Sequence, residues 1–265
     1  MPIPKVIHYC WFGGKPKPKL AEKCIRSWRR HCPDYIIREW NEDNYDLHSC
    51  PLFVRQAYDL GQWPFVTDYV RLDLLYRLGG FYFDVDVELK KGLDVFLGEP
   101  CFMGIEKSTR FVEVNTGLGC GAEPGFPLIK EMMEAYENIA FVDEAGKMDI
   151  TTCTKRDTKT LRKHGYADED RMQTVAGATI YPSEFFSPMI METGLMYKTN
   201  NTVSVHYYSL SWVTDEERLA RKKRLQKYRR ADFLYKLKVF PNNIALYILG
   251  PENYQKLKAI LKNSK

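Results

Sequence analysis

The sequence predicts an α/β domain followed by a basic helical extension. Three observations carry that expectation: a strand, helix, strand succession in about the first forty residues, a helical pattern that runs through Gly79-Gly80 into an aromatic strand, and a change of charge near residue 214. The 265 residues, 45% hydrophobic and 28% charged, suffice for one large core and exclude collagenous, low-complexity and disordered classes.

Lys5-Val6-Ile7-His8-Tyr9-Cys10-Trp11-Phe12 is short, rich in β-branched and aromatic residues, and closed by Gly13-Gly14, which suits a buried strand ending in a turn. Leu20, Cys24 and Trp28 recur on one face of a helix over 20–31; Cys32-Pro33-Asp34 stops it, and Tyr35 to Trp40 reads as a second strand. This order opens an α/β domain with nucleotide-site geometry. A second helix over 64–78 ends where glycine supplies a left-handed cap, and Phe81 to Val87 follows as a strand whose last even positions are carboxylates. Beyond it the pattern predicts a strand at 111–114, a turn at Asn115-Thr116-Gly117, a glycine-rich loop to Pro127 and an apolar helix over 128–140. Residues 143–175 are polar and weakly patterned, and strand signals return at 179–181 and 203–208.

With no repeat and no linker before about residue 214, the expected organisation is one domain over 1–214 and an extension over 215–265. The extension holds 14 Lys/Arg against 5 Asp/Glu, leaving 25 against 29 in the body, so chemistry is expected of an acidic body and location of a basic tail. Seven cysteines, with no Cys-x-x-Cys spacing, read as reduced and mostly buried thiols. No stretch suits a signal peptide and none approaches a membrane span, so a cytoplasmic location, at most peripheral to a membrane, is expected.

The strongest chemical feature is Asp84-Val85-Asp86. Side chains two apart on a strand point the same way, so both carboxylates converge beyond the sheet edge, where a divalent cation relieves their repulsion. The alternative is a solvated strand end with two unrelated acids. One helix earlier, Asp68 and Arg71 share a face. They form either an exposed intrahelical ion pair or, because a short cap throws this helix into the Asp84 strand, a polar border to the same cavity.

Asp68-Tyr69-Val70-Arg71, an apolar spacer and Gly79-Gly80-Phe81-Tyr82-Phe83-Asp84-Val85-Asp86 together resemble the Asp-x-Asp signature region of glycosyltransferase family 32. These are capsular-polysaccharide and yeast-type mannosyltransferase relatives, which also resemble the glucosylating clostridial toxins. Ile7 to Gly14 resembles the family's opening strand. The resemblance spans roughly residues 3–125, with a weaker echo at 206–212.

The resemblance implies a GT-A fold binding a nucleotide-sugar and Mn²⁺ or Mg²⁺. Trp11 matches the tryptophan that stacks on the nucleobase, with a core aromatic as its alternative. Asp68 and Arg71 match the residues that hold the donor sugar, Asp84 the carboxylate contacting ribose and the metal shell, and Asp86 the metal ligand that bridges to the diphosphate. Asn115 sits where relatives have a polar residue near the reacting sugar, although it also suits an ordinary turn. His206, Ser211 and Trp212 fall in the closing segment, where a His can complete metal coordination and a Ser-x-Trp element touches the diphosphate. The implied activity is retaining transfer of a hexose from UDP-hexose or GDP-mannose to a saccharide or lipid-linked saccharide acceptor, in capsular or surface polysaccharide synthesis.

Two other readings compete. Phe83-Asp84-Val85-Asp86-Val87 also fits a haloacid-dehalogenase-type phosphohydrolase with Asp84 as nucleophile and Asp86 as its acid/base partner. A noncatalytic module holding nucleic acid through its basic tail is opposed by the acidic body, and no nucleic-acid partner is expected. The tail over 218–230 suits an anionic membrane surface, with Ile244 to Leu249 dipping into the interface, or else a solvated helix packed on the domain.

Overall fold

The computed structural model describes residues 2–209, 216–217, 219–235, 250–251, 253 and 255–256. Packing divides the chain into one unit of residues 1–192 with 196–213 and a second of 193–195 with 214–265. In the second, residues 219–235 are helical, and Ile244 to Leu249 lie outside the described residues.

The first unit is the expected α/β domain. Strands β1 (Val6–Cys10), β2 (Ile36–Trp40) and β3 (Gly80–Tyr82) make a parallel set with β1 central. Strand β6 (Val112–Ala122) then runs antiparallel between β3 and β5 (Cys101–Lys107), and β8 (Ala178–Tyr181) and β7 (Gln173–Val175) complete a seven-stranded sheet. A two-stranded ribbon of β4 (Val87–Leu89) and β9 (Ser204–His206) stands beside it.

Helix α1 (Lys19–His31) buries Ala21, Cys24, Ile25 and Trp28 on one face, as its periodicity predicts. Two of its side chains hydrogen-bond the β4 backbone. The Trp28 indole donates to the Val87 carbonyl at 2.8 Å, and the Ser27 hydroxyl accepts from the Leu89 N–H at 2.9 Å. Helix α3 (Trp63–Leu78) buries apolar residues on several sides and ends at Gly79, whose φ of 65° disfavours any side chain and where a β-carbon would lie 2.6 Å from Pro124. The shorter α2 (Leu52–Asp59) precedes it without having been legible in the sequence. All seven cysteines are free and buried.

Four expectations need correction. The β3 strand stops at Tyr82, so Asp84 and Asp86 lie in a turn. The glycine-rich segment after Asn115 is the centre of β6. A β-carbon on Gly117 would fall 2.2 Å from the Asp84 carboxylate, one on Gly119 2.8 Å from Phe83, and one on Gly121 2.3 Å from Phe102, so the glycines admit packed side chains instead of marking a loop. Asn115 is accordingly a strand residue. The helix after it, α4 (Pro127–Glu134), is shorter than predicted, and the weakly patterned stretch contains α5 (Cys153–Arg162), whose buried face is mostly Cys and Thr. A short α6 (Ser183–Phe186) follows β8.

His8 joins three of these elements. Its Nδ1 accepts from the Trp40 indole at 3.1 Å while its Nε2 donates to the Gly79 carbonyl at 2.9 Å, which fixes the neutral tautomer. Burial lowers its pKa from 6.5 to about 4. The unfolded chain therefore takes up this proton near pH 6.5 and the folded chain only near pH 4, so the stabilisation is complete above 6.5 and lost as pH falls, by about 3 kcal/mol at its limit. Denaturant midpoints between pH 7 and 4 should fall less steeply for His8→Gln, which retains a donor toward Gly79 and does not titrate.

Candidate active site

The chain reverses after β3 because the Asp84 N–H donates to the Gly117 carbonyl and the Val87 N–H donates back to the Asp84 carbonyl, both at 3.0 Å. This turn presents Asp84 toward α3 and Asp86 toward β9. The two acids are neighbours in sequence, yet each is held by a different part of the fold.

Arg71 is the partner of the first. Its Nη2 lies 3.0 Å from Asp84 and 3.1 Å from Asp68, with the Arg71 side chain only 3% exposed, so the pair that could have been an exposed bridge is part of a three-membered cluster in which Arg71 and Asp68 are buried and Asp84 is half-buried. Its Nη1 reaches the Cys153 sulfur at 3.4 Å, and the Tyr82 ring lies beneath it at 5.1 Å. Burial pushes the Asp68 and Asp84 carboxyls up from the usual range, against the pull of Arg71. One cation is shared by two acids.

Asp86 is clasped by the segment after β9. Strand pairing sets His206 opposite Val87, which brings the imidazole Nε2 to 3.0 Å from Asp86 Oδ1. The Ser209 N–H donates to Oδ2 at 2.6 Å, and the Tyr207 N–H to the Asp86 carbonyl at 3.0 Å. Although burial opposes it, His206 and Ser209 hold the Asp86 carboxyl well below the usual range, and Asp86 in turn raises His206 against its own burial. Between them, Tyr208 adopts φ of 49° and lays its ring 4.1 Å from that of His206.

These groups face one cleft of about 260 Å³, where the structure brings together Trp11, Asp68, Arg71, Asp84, Asp86, Asn115 and His206. Ser211 and Trp212 lie outside the described residues. Trp11 stands at the end of β1 with its indole N–H on the Lys15 carbonyl at 2.6 Å. The cleft also contains Trp63, Thr67, Cys153, Tyr208 and Ser209, which sequence reasoning missed. Trp63, Thr67 and Arg71 recur every fourth residue of α3 beside Pro64 and Asp68, so helical spacing counted back from Arg71 would have found Trp63. Cys153 carried no such signal.

Among the described residues no three or more His, Cys, Asp or Glu side chains gather as a metal cage. The donor set nevertheless suits Mg²⁺ or Mn²⁺, which take one or two carboxylates and fill their remaining positions with water and phosphate oxygens. Asp84 and Asp86 would supply those carboxylates; His206 stands against Asp86 through Nε2, and its buried Nδ1 has no hydrogen-bond partner among the described residues.

Residues 18–103 match the family model described as glycosyltransferase sugar-binding region containing DXD motif, an interval that includes Asp68, Arg71, Asp84 and Asp86. The chain is 27% identical over 149 residues to inositol phosphoceramide mannosyltransferase 3 of Schizosaccharomyces pombe (strain 972 / ATCC 24843), covering 52% of this chain and 38% of that protein. It is 30% identical over 112 residues to inositol phosphoceramide mannosyltransferase 1 of the same organism, covering 38% and 33%. The chain thus spans under two fifths of the length of these curated relatives. Among solved structures it is similar to PaToxG glycosyltransferase, with TM-score 0.48, 19% identity, and 61% and 70% of the two chains covered. It is also similar to the galactosyltransferase LgtC, with TM-score 0.40, 15% identity, and 85% and 95% covered. The phosphohydrolase reading of Asp84 and Asp86 finds no support, since both fall inside the glycosyltransferase sugar-binding region.

The buried cluster makes Arg71 the residue whose loss is felt most. Arg71→Met leaves Asp68 and Asp84 uncompensated and should destabilise the fold by about 3–5 kcal/mol in chemical denaturation. Adding Asp68→Asn removes one stranded charge and should recover part of that loss.

Proposed function

We propose that this chain, a glycosyltransferase related to family 32 through its DXD sugar-binding region, moves a hexose with retained configuration from a nucleotide-sugar to a saccharide or lipid-linked acceptor, in capsular or surface polysaccharide synthesis. The observation that carries this reading is the convergence of Trp11, Asp68, Arg71, Asp84, Asp86, Asn115 and His206 in one cleft. A donor's diphosphate and hexose need what that cleft offers: aromatic surface from Trp11 and Trp63 for a base, and fixed donors and acceptors for sugar hydroxyls.

Within the reading, Asp68 accepts from sugar hydroxyls while Arg71 donates to them, and both are already immobilised by their own ion pair, so little ordering remains to be done on binding. Asp84 and Asp86 would hold Mn²⁺ or Mg²⁺ at the diphosphate. A divalent ion bound there stabilises the negative charge that collects on the departing nucleotide. His206 and the Ser209 N–H keep the Asp86 carboxylate ionised and aimed. The relatives' names, inositol phosphoceramide mannosyltransferases, favour a mannosyl donor and a lipid-borne acceptor.

The test is hydrolysis and transfer across a panel of UDP-glucose, UDP-galactose and GDP-mannose with Mn²⁺. Asp86→Asn keeps an acceptor for Ser209 but weakens the metal site, and it should reduce turnover by at least about 10²-fold. Undiminished turnover would refute the assignment of Asp86.

The same reading includes a cytoplasmic location with peripheral membrane attachment. No helix among the described residues is long and apolar enough to cross a membrane. The helical stretch 219–235 carries exposed Leu219, Phe233, Leu234 and Tyr235 amid its basic residues, a composition suited to an anionic lipid surface. The full chain should sediment with phosphatidylserine vesicles in low salt, and Lys222→Glu, Lys223→Glu and Arg224→Glu together should abolish it; a full chain left in the supernatant would end the membrane idea, and equal pelleting of both proteins would end the part given to the basic cluster.

A further inference from the structure

Asn115 borders the cleft with almost every hydrogen-bonding valence already used. Its Oδ1 accepts from the Gly117 N–H at 2.8 Å and from the Cys153 thiol at 3.9 Å. A backbone N–H can only donate, so the oxygen end of the amide must face Gly117 and the nitrogen end must face the other way. There Nδ2 donates to Glu106 Oε2 at 2.6 Å. An amide nitrogen carries two hydrogens, and the second is the one valence of Asn115 left for the cleft.

Glu106 meets Asn115 because of strand register. Asn115 pairs with Gly104 across β5 and β6, so Glu106, two residues further along β5, lies diagonally on the same face. The register shifts between Met103 and Gly104, which frees 116–119 from one-to-one pairing and lets the Gly117 N–H turn back onto Asn115. Glu106 is 5% exposed and faces Glu113 directly across the ladder. A buried carboxylate beside another acid is costly to keep, and Asn115 is the group it serves.

We propose that Glu106 is a positioning residue that fixes the Asn115 amide as a pure donor to the cleft, so that the substrate group seated there is an oxygen acceptor, a hydroxyl or ring oxygen of the transferred sugar. This rests on the glycosyltransferase reading and extends it by giving the polarity of one sugar contact. The nucleoside diphosphate lacks that sugar, so its binding is independent of the pair.

The decisive protein is the double variant E106Q/N115D. It is isosteric with the native pair and retains a hydrogen bond across it, now donated from the β5 side by the glutamine amide, but the carboxylate that replaces the asparagine on β6 has no donor to give the cleft. With Mn²⁺ present, calorimetry against UDP and GDP should give wild-type affinity, while kcat for the nucleotide-sugar falls about 10²-fold, the scale of a misplaced sugar. E106M should lose kcat similarly, and E106Q alone, which keeps an acceptor carbonyl opposite Asn115, should recover most of it. Should E106M not fold, the isosteric double variant carries the test. A folded E106Q/N115D with wild-type kcat overturns the proposal alone, since the wild type still transfers sugar; a wild type that neither binds UDP or GDP nor turns over any donor overturns the underlying reading with it.

Discussion

One buried guanidinium, shared by the buried Asp68 and the half-buried Asp84, organises this cleft. Arg71 comes from the middle of α3, Asp68 from one helical turn before it, and Asp84 from the turn that ends β3. Their contact locks the helix to the sheet where the chain must leave β3, and the turn that carries Asp86 follows from it. The cluster is also unbalanced: Asp68, Asp84 and Asp86 face Arg71 and an imidazole. With all three carboxyls ionised, negative charge is in excess even if His206 is protonated, a condition that favours an added cation in the cleft.

The same crowding explains why β6 is built of alternating glycines. Asp84 and the Arg71 guanidinium occupy the volume a side chain at 117 would take; Phe83 and Phe102 do the same at 119 and 121. The sheet is thinned on one face so that a charged cluster and an aromatic core can approach its backbone. Leu118, Cys120 and Ala122 stay buried on the strand's other positions, so the strand keeps an apolar anchor while giving up its opposite face.

Local features of the site were legible in the sequence because local rules govern them. Asp68 and Arg71 share a face through helical spacing, Gly79 stops the helix, and Asp84 and Asp86 follow within a few residues. The glycines of β6 misled because composition alone does not distinguish a turn from a strand that must admit a neighbour's side chain. The Asp84 turn was hidden for a related reason: it depends on the Gly117 carbonyl, more than thirty residues away in sequence. Cys153, on a helix whose buried face is mostly Cys and Thr, reaches the site, and Glu106, on a strand with no pattern tying it to Asn115, reaches that residue, only through tertiary pairing.

The clasp on Asp86 is where local preference is most clearly overridden. A tyrosine at φ of 49° is strained by roughly 1–2 kcal/mol relative to an extended one. Reversing the chain at Tyr208 is what allows the N–H groups of both Tyr207 and Ser209 to reach Asp86, one at its carbonyl and one at its carboxylate. The Tyr208 ring packs on His206 and its hydroxyl pairs with Ser187, contacts that offset the strain and hold the imidazole against Asp86. The distorted backbone at Tyr208 and the ionised Asp86 are therefore two ends of one arrangement: relaxing Tyr208 would turn the Ser209 N–H away and remove the ring that backs His206, so that burial, which favours the neutral carboxyl, would meet less opposition.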